Sequence, residues 1–413
     1  MACHNGLPNQ PRISRRGVLR GAGALAAMPA AAVSAQNAGP VRIGVLTDLA
    51  AIMADFSGNG TVASITMAVE DFGGSVNGRP IEVLRGDHQN KPDIGLGIAR
   101  QWYDSGVGAI FDVGITSVAL GVQSLAREKD RIVVFISSAS SDLTGAACSP
   151  NGIHWTFNNY SQARGLVRHL SGLGVRTWFF LTVDYIYGRN VQRDATAMIE
   201  ASGGRVLGAA LHGFETTDFS NSLLTAQSSK ADVVVLATTT AHSANVLKQA
   251  DEFGMRAGGQ RVAPLSLTLL DVKAVGLAAG QGIVETSPYY WDQNDATRAF
   301  AERYRKRTGR MPNMVQASAW GAATHYLNAV KAAGTTTTSD VLARMKATPI
   351  NDFMTRDGLI RADGRVIRDM YVLQVKSPAE SRGEWDLEKV IGTIPGPEAF
   401  QPLDPALCPF VKA

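Results

Sequence analysis

Two short loops in the first half of the chain hold the groups most suited to binding a small anion. One is Gly114-Ile115-Thr116-Ser117, which enters a predicted helix, and the other is Ser137-Ser138-Ala139-Ser140-Ser141. Hydroxyls and free backbone N–H groups at the start of a helix attract a carboxylate. We therefore expect a carboxylate-binding site here, with simple helix capping by serine and threonine as the alternative.

The sequence contains no recognisable catalytic motif. GxSxG, P-loop and HExxH patterns are absent, and the near match to a GxGxxG motif at Gly58-Asn59-Gly60 has no third glycine. His88 has no second histidine, cysteine or acid at metal-ligand spacing. The spacing of Asp87, Asp112 and Asp184 gives little reason to pair them in a carboxylate site. We expect a binding protein that is not an enzyme and that uses no cofactor or metal.

Alternating strands and helices must hold the two loops in place. Short β-branched runs alternate with helical stretches of about 10–15 residues, which predicts an α/β fold with parallel sheets. After a connector at residues 155–160 the alternation starts again, so two lobes are expected. The predicted strands are residues 41–46, 81–84, 109–112, 132–136, 177–182, 205–208 and 232–236. A closing hairpin is predicted to pair residues 358–361 with residues 370–375 through a turn at Asp363-Gly364.

The two hydroxyl-rich loops are predicted to lie at one edge of a single sheet. Each follows a strand of the first lobe, and in parallel sheets the carboxyl ends of the strands share an edge. Ligands of open α/β sheets bind outside that edge. The sequence therefore places the candidate site on a rigid scaffold and in the cleft facing the second lobe.

The first 35 residues have the composition of an export signal. Arg15 and Arg16 precede an apolar stretch at residues 21–33, and small residues at 33–35 form a cleavage site near Ala35. The arginine pair resembles a twin-arginine signal, so we expect a periplasmic protein. Without the four arginines of this segment, the formal net charge falls from +4 to 0 (4 − 4). The rest of the chain has no basic excess that would favour nucleic acid.

Two cysteines remain after the predicted cleavage, Cys148 and Cys408. An even number of cysteines in an oxidising compartment favours a disulfide bond. We predict that these two residues pair, with two unrelated buried thiols as the alternative.

The series of motifs along the chain resembles the periplasmic leucine/isoleucine/valine-binding protein family of ABC transporters. The segments that carry the resemblance are residues 41–46, 63–74, 112–120, 136–144, 184–188 and 215–224. The resemblance implies two Rossmann-like lobes joined by a three-crossover hinge. Lobe 1 would comprise residues 36–157 and 290–353, and lobe 2 with the C-terminal tail residues 158–289 and 354–413. It also implies a monomer that delivers a small ligand to a permease in the inner membrane.

The resemblance also implies which residues contact the ligand. Its carboxylate is expected at Ser117, with Thr116 as the alternative, and at Ala139 and Ser141. Lobe 2 would supply tyrosine walls and hydroxyl contacts. The full set of expected ligand-binding residues is Phe56, Thr116, Ser117, Ala139, Ser140, Ser141, Tyr185, Tyr187, Thr239, Thr240 and Ser266. His242, at a predicted helix start, is expected to be solvated.

One departure from the family pattern bears on the ligand. Amino-acid binders of this family carry a glutamate that faces the ligand's ammonium group, and Ser266 stands at the matching position here. No acid lies between Glu252 and Asp271, and a buried ammonium without a carboxylate partner is costly. The sequence therefore favours a carboxylate without an amine. Segments such as 87–91 and 141–150 are similar to the branch that binds aromatic acids.

Three alternatives to an aromatic acid importer remain. The ligand could be a branched-chain amino acid or an amide, or the protein could be a sensor of the same fold that reports to a membrane receptor or regulator. The sequence does not separate an importer component from such a sensor, because only surface helices would differ.

Overall fold

Parallel strands organise both halves of the chain in the computed structural model, which describes residues 39–411. The predicted export signal, residues 1–35, lies outside the described residues. The strands are β1 (Val41–Thr47), β2 (Ser75–Val76), β3 (Arg79–Asp87), β4 (Ala109–Asp112), β5 (Ile132–Phe135), β6 (Gly152–His154), β7 (Thr177–Val183), β8 (Arg205–His212), β9 (Val233–Ala237), β10 (Arg261–Pro264), β11 (Val284–Ser287), β12 (Leu359–Ile360), β13 (Val366–Ile367), β14 (Met370–Val375) and β15 (Glu388–Ile394).

Helices connect most of these strands. They are α1 (Gly58–Asp71), α2 (Pro92–Asp104), α3 (Thr116–Glu128), α4 (Asn159–Gly172), α5 (Ile186–Ala201), α6 (Ser220–Ser228), α7 (Thr240–Glu252), α8 (Leu269–Val275), α9 (Leu277–Gly280), α10 (Asp295–Thr308), α11 (Met314–Ala333), α12 (Thr338–Ala347) and α13 (Gly396–Ala399). Within residues 39–411, none of the helices combines the length and the apolar character needed to cross a membrane.

Lobe 1 is built around a six-stranded sheet in the order β2-β3-β1-β4-β5-β6. Its strands run parallel, apart from the antiparallel β2–β3 pair. Every residue of β4 and β5 is buried, as expected of a parallel sheet that is covered on both faces. Helix α11 packs along α1. Gly60 of α1 lies close to α11, since an added Cβ there would lie 2.6 Å from Gln316 Nε2.

Lobe 2 contains two sheets. The first is fully parallel in the order β10-β9-β7-β8, and the second is antiparallel in the order β11-β14-β15. The apolar residues of β7 and β9 are buried. Helix α4 packs against α5, β11 and β14, so it joins the two sheets of this lobe.

A pair of buried acids lies within the antiparallel sheet of lobe 2. Glu285 on β11 is 7% exposed and Glu388 on β15 is 1% exposed. Burial raises the pKa of Glu388 to about 8. Burial and the neighbouring Glu388 carboxyl together raise the pKa of Glu285 well above its usual range. At neutral pH these two groups therefore hold protons that free glutamates would lose.

The predicted fold class is confirmed, with two α/β lobes joined by a hinge of three crossings. The chain passes between the lobes after β6, after β11 and after β13. The predicted closing hairpin is wrong. The turn at Asp363-Gly364 joins β12 to β13, whereas β14 pairs with β11 and β15. The two-residue strands β12 and β13 stop short because the chain then turns into the larger sheet of lobe 2.

The C-terminal tail returns from lobe 2 to lobe 1. Gln401 Oε1 accepts a hydrogen bond of 2.7 Å from Asn158 Nδ2 beside the first crossing. Beyond it, Cys408 forms a disulfide bond with Cys148 in the loop before β6. A bond that closes so long a stretch of chain stabilises a fold by about 2–5 kcal/mol. The tail is therefore a fourth, covalent tie across the hinge.

Candidate functional site

The two lobes enclose a cavity at the carboxyl ends of their parallel strands. About 440 Å³ of space that no protein atom fills lies there, including some that is open to solvent. For each parallel strand except β3, at least one residue that follows the carboxyl end of the strand lines this space. The lining residues are Met53, Phe56, Gly114, Ile115, Thr116, Ser137, Ala139, Phe157, Tyr185, Tyr187, Phe214, Thr239, Thr240 and Ser266.

A strained turn after β4 brings the first loop into the cavity. Asp112 and Val113 have φ values of +83° and +56°, a region that β-branched valine rarely adopts. Such strain costs on the order of 1–3 kcal/mol and tends to occur at functional sites. The turn directs Gly114, Ile115 and Thr116 toward the cleft, and α3 begins at Thr116.

Lobe 1 offers two backbone donors to the cavity. Among the described residues, the backbone N–H groups of Thr116 and Ala139 have no hydrogen-bond acceptor. Thr116 is the first residue of α3, where the helix dipole favours negative charge. Ala139 lies in the loop after β5, on the neighbouring strand. The two groups together can bind a carboxylate, each donating to one of its oxygens.

Ser117 contacts the opposite lobe and does not line the cavity. Its backbone N–H donates to the Tyr185 hydroxyl oxygen over 3.2 Å, and that hydroxyl donates to Ser117 Oγ over 2.9 Å. Tyr185 belongs to the loop before α5 in lobe 2. A tyrosine hydroxyl therefore occupies the helix start where the sequence placed the ligand's carboxylate, and the backbone N–H of Thr116 stays unpaired at that turn.

Tyr187 supplies a hydroxyl group to the cavity. Within residues 39–411 its oxygen has no hydrogen bond of good geometry. Burial raises the pKa of Tyr187 to about 12, and the neighbouring Ser266 hydroxyl opposes that rise. Tyr187 therefore stays protonated at neutral pH and can donate to a ligand. Gly188 next to it admits no side chain, since a Cβ there would lie 2.2 Å from the Val183 carbonyl oxygen.

Aromatic rings from both lobes form the apolar walls. Phe56 and Phe157 of lobe 1 meet edge to face, with ring centroids 6.2 Å apart. Tyr185 and Phe214 of lobe 2 meet in the same manner at 5.6 Å. Met53 adds a flexible apolar side chain. These side chains make the walls of the cavity largely apolar.

The structure brings most of the predicted site residues together. Those that line the cavity are Phe56, Thr116, Ala139, Tyr185, Tyr187, Thr239, Thr240 and Ser266. Ser117, Ser140 and Ser141 lie outside the lining. Ser140 is buried and caps the short 3-10 turn at Ser141–Thr144, and Ser141 Oγ donates to Asp194 of lobe 2 over 2.9 Å.

Sequence reasoning missed several lining residues, and its prediction for His242 is wrong. Met53, Phe157 and Phe214 come from connectors without a periodic pattern, so no signal in the sequence marks them. Ser137 was part of a loop that the sequence did single out. The expectation that His242 is solvated is wrong, because it is 3% exposed and its ring packs against His212 and Phe219.

Helix α5 of lobe 2 closes one side of the cleft with polar contacts to lobe 1. Asn190 Nδ2 donates to Asp142 Oδ2 over 2.8 Å, and an Arg193 nitrogen lies 3.5 Å from Asp142 Oδ1. Asp194 accepts the hydrogen bond from Ser141. These residues are partly solvated, so each contact contributes little alone. Together they favour the arrangement in which both lobes surround a ligand.

Asp142→Ala is expected to raise the dissociation constant of the ligand by about 3- to 10-fold, mostly through faster dissociation. The substitution removes the contacts to Asn190 and Arg193 without touching the cavity. Stopped-flow and equilibrium binding would measure it. Asp184→Ala is the matched control, since Asp184 pairs with Arg189 inside lobe 2. Equal affinities for the two variants would refute a role for α5 in closure.

Comparisons with known proteins give a consistent result. The sequence profile of a family described as periplasmic binding protein matches residues 40–383. A periplasmic binding protein from Burkholderia mallei has 40% sequence identity and a TM-score of 0.85, over 88% of this chain and 96% of that chain. A branched chain amino acid ABC transporter periplasmic ligand-binding protein from Burkholderia xenovorans has 38% identity and a TM-score of 0.80, over 88% of this chain and 97% of that chain.

A more distant structure shares the fold. It is a solute-binding protein of an ABC transporter from Rhodopseudomonas palustris in complex with 3,4-dihydroxybenzoic acid. The identity is 19% and the TM-score 0.78, over 86% of this chain and 98% of that chain. A comparison with curated proteins gives no match.

Proposed function

The chain belongs to the periplasmic binding protein family of ABC transporters, and from that premise we propose that it captures a small aromatic carboxylate in the cavity between its lobes and delivers it to a permease. The observation that carries the proposal is the polarity of the cavity. Thr116 and Ala139 offer backbone donors for a carboxylate, while Phe56, Phe157 and Phe214 supply apolar walls for a ring.

The absence of charge in the cavity argues against an amino acid as ligand. Among the described residues that line it, none is an aspartate, glutamate, lysine or arginine. A carboxylate there would be held by neutral N–H and hydroxyl donors. An α-ammonium group would have no ionic partner and would cost several kcal/mol to desolvate. Ser266, which lines the cavity, stands where amino-acid binders of this family carry a glutamate.

A branched-chain amino acid is the second candidate ligand. It is favoured by the 38% identity to the Burkholderia xenovorans protein, which is described as part of a branched chain amino acid transporter. The Rhodopseudomonas palustris complex with 3,4-dihydroxybenzoic acid supports the aromatic candidate through the same fold. The chemistry of the cavity supports the ligand without an amine.

The site of action follows from the family and from the N-terminal segment. Periplasmic binding proteins act in the periplasm, and residues 1–35 would direct export with cleavage near Ala35. The exported chain acts as a monomer. Its lobes close over the ligand, and the permease recognises the closed form, in keeping with contacts that reach the ligand from both lobes.

The mature protein, residues 36–413, is expected to be stabilised by benzoate-type acids and not by leucine or valine. A ligand that binds only the folded state raises the melting temperature by mass action. Thermal shift followed by calorimetry, with cyclohexanecarboxylate and benzamide as matched probes, separates the need for a ring from the need for a carboxylate. Stabilisation by leucine or valine alone would refute the aromatic proposal, and no response to any carboxylate would refute the proposed ligand class.

A further inference from the structure

A buried carboxyl group lies directly behind the cavity wall of lobe 1. Asp112, the last residue of β4, is fully buried, and its Oδ1 accepts a hydrogen bond from the Ser137 hydroxyl. Ser137 follows β5 and lines the cavity. The serine therefore stands between the carboxyl group and any bound ligand.

The ionisation state of Asp112 determines the orientation of the Ser137 hydroxyl proton. Burial raises the pKa of Asp112 to about 6, and the hydroxyls of Ser137, Thr47 and Ser57 oppose that rise. At pH 8 the group is an ionised carboxylate, which can only accept hydrogen bonds. The Ser137 proton must then point to Asp112. What Ser137 presents to the cavity is its oxygen, as an acceptor.

The first loop leaves that oxygen uncovered. A Cβ added at Gly114 would lie 3.0 Å from Ser137 Oγ, so any other residue at position 114 would crowd it. The glycine thus keeps the lone pairs of Ser137 accessible from the cavity.

A hydroxyl of lobe 2 has the same orientation. Thr239 Oγ1 lies 3.0 Å from His242 Nδ1. Burial lowers the pKa of His242 to about 4, so the imidazole is neutral and carries a single ring proton. Thr239 Oγ1 already accepts from the His242 backbone N–H, and we assign the ring proton to Nε2, so that Nδ1 accepts from Thr239. Both lobes therefore present acceptor oxygens to the cavity.

We propose that Asp112 is a positioning residue that orients Ser137 as a hydrogen-bond acceptor, so that the site selects aromatic acids with a ring hydroxyl over the same acids without one. The inference rests on the proposed function, because it concerns a ligand bound in this cavity. An unsubstituted ring would leave the acceptor oxygen desolvated and unpaired, which lowers affinity. A ring hydroxyl would donate to Ser137 in a chain that ends on a carboxylate, where hydrogen bonds are strong.

The test compares ligands that differ only in the hydroxyl group. Calorimetry at pH 8 would measure dissociation constants for benzoate, 3-hydroxybenzoate, 4-hydroxybenzoate and 3,4-dihydroxybenzoate. For the wild-type protein, at least one hydroxylated acid is expected to bind about 10-fold or more tightly than benzoate. Asp112→Gly removes the carboxylate that accepts from Ser137 and adopts the positive φ of this position readily, so it frees the Ser137 proton. The preference should then fall to less than about 3-fold, as it should in Ser137→Ala.

Ser138→Ala is the matched control, because Ser138 is buried next to Ser137 but does not line the cavity. It should keep the wild-type preference. The ratio of two dissociation constants cancels any general loss of affinity, so a merely structural effect of Asp112 would not change it. An unchanged ratio in either Asp112→Gly or Ser137→Ala overturns the inference alone. If the wild-type protein binds the aromatic acids without preference, the inference is also overturned and the proposed function stands. If it binds none of them, both the inference and the proposed function are overturned.

Discussion

Ala139→Leu is expected to weaken ligand binding by at least about 100-fold, the equivalent of about 2.7 kcal/mol. The Ala139 side chain forms part of the cavity wall, and leucine would add three carbon atoms to a space of about 440 Å³ that two lobes already bound. The backbone N–H of residue 139 stays in place, so the loss would come from filled space and not from a lost donor. Calorimetry with the tightest aromatic acid would measure it.

Ala146→Leu provides the control for this experiment. Ala146 is exposed and lies in the same loop between β5 and β6, so the larger side chain there should leave affinity unchanged. Melting curves without ligand would check that Ala139→Leu is folded, since overpacking costs about 1–3 kcal/mol. Wild-type affinity in a folded Ala139→Leu protein would show that the ligand binds somewhere else.

Raising the pH from 7 to 8.5 is expected to lower the free energy of unfolding by about 2–3 kcal/mol. The cause is the pair of buried glutamates in lobe 2, whose pKa values are raised in the folded state. In the unfolded chain both groups ionise near pH 4.5. Between that value and the raised pKa the folded state holds more protons than the unfolded state. Stability must therefore fall as the pH rises, by about 1.4 kcal/mol per pH unit for each proton.

The choice of pH range isolates the glutamates. Buried histidines such as His154 and His242 have pKa values lowered from 6.5, so they add stability with rising pH only up to about that value. Above pH 7 their contribution is constant. Denaturant unfolding at a series of pH values between 7 and 8.5 would give the slope.

Glu285→Gln/Glu388→Gln should remove this slope. Both amides keep the size of the side chains and do not ionise, so the double variant should be at least as stable as the wild type at pH 8.5. Glu380→Gln is the control, since Glu380 is exposed and pairs with Lys389 near the same sheet, and it should leave the slope intact. A wild-type protein with constant stability over this range would contradict the prediction.

The loops that build the site could be predicted because they follow regular strands. Apolar runs at residues 109–112 and 132–136 located β4 and β5, and with them the turns that carry Thr116 and Ala139. Side-chain direction was beyond the reach of the pattern. Ser117 lies one residue after Thr116, yet it contacts Tyr185 of the other lobe and not the cavity.

Helix and strand limits failed where local composition and packing disagree. The sequence placed the start of the second-lobe strand correctly at Arg205, but the strand continues to His212. Gly208 has a φ of +153° and lies beside a break in strand register. Because glycine is uncommon inside strands, the sequence pattern does not indicate that the strand continues. The start of helix α1 at Gly58 could not be predicted either, because the glycines at positions 58 and 60 have low helix propensity.

Pairing between distant strands was the least predictable part of the fold. An Asp-Gly turn at 363–364 is a sound local hairpin signal, and a short hairpin does form there. What the sequence could not show is that β14 has two better partners, β11 and β15. Strand β11 ends 83 positions before β14 begins (370 − 287), and β15 follows β14 after a loop. The choice of these partners depends on sheet packing and not on the local sequence pattern.

The Cys148–Cys408 bond turns most of the molecule into a covalent ring. The two cysteines are 260 positions apart, and the chain between them includes all of the lobe 2 sheets as well as helices α10, α11 and α12 of lobe 1. A protease that cuts one loop inside this ring, such as the exposed turn near Gly383, would not release a fragment. The nicked protein would still migrate as one species until a reductant opened the bond, and both lobes would stay attached to each other after the cut.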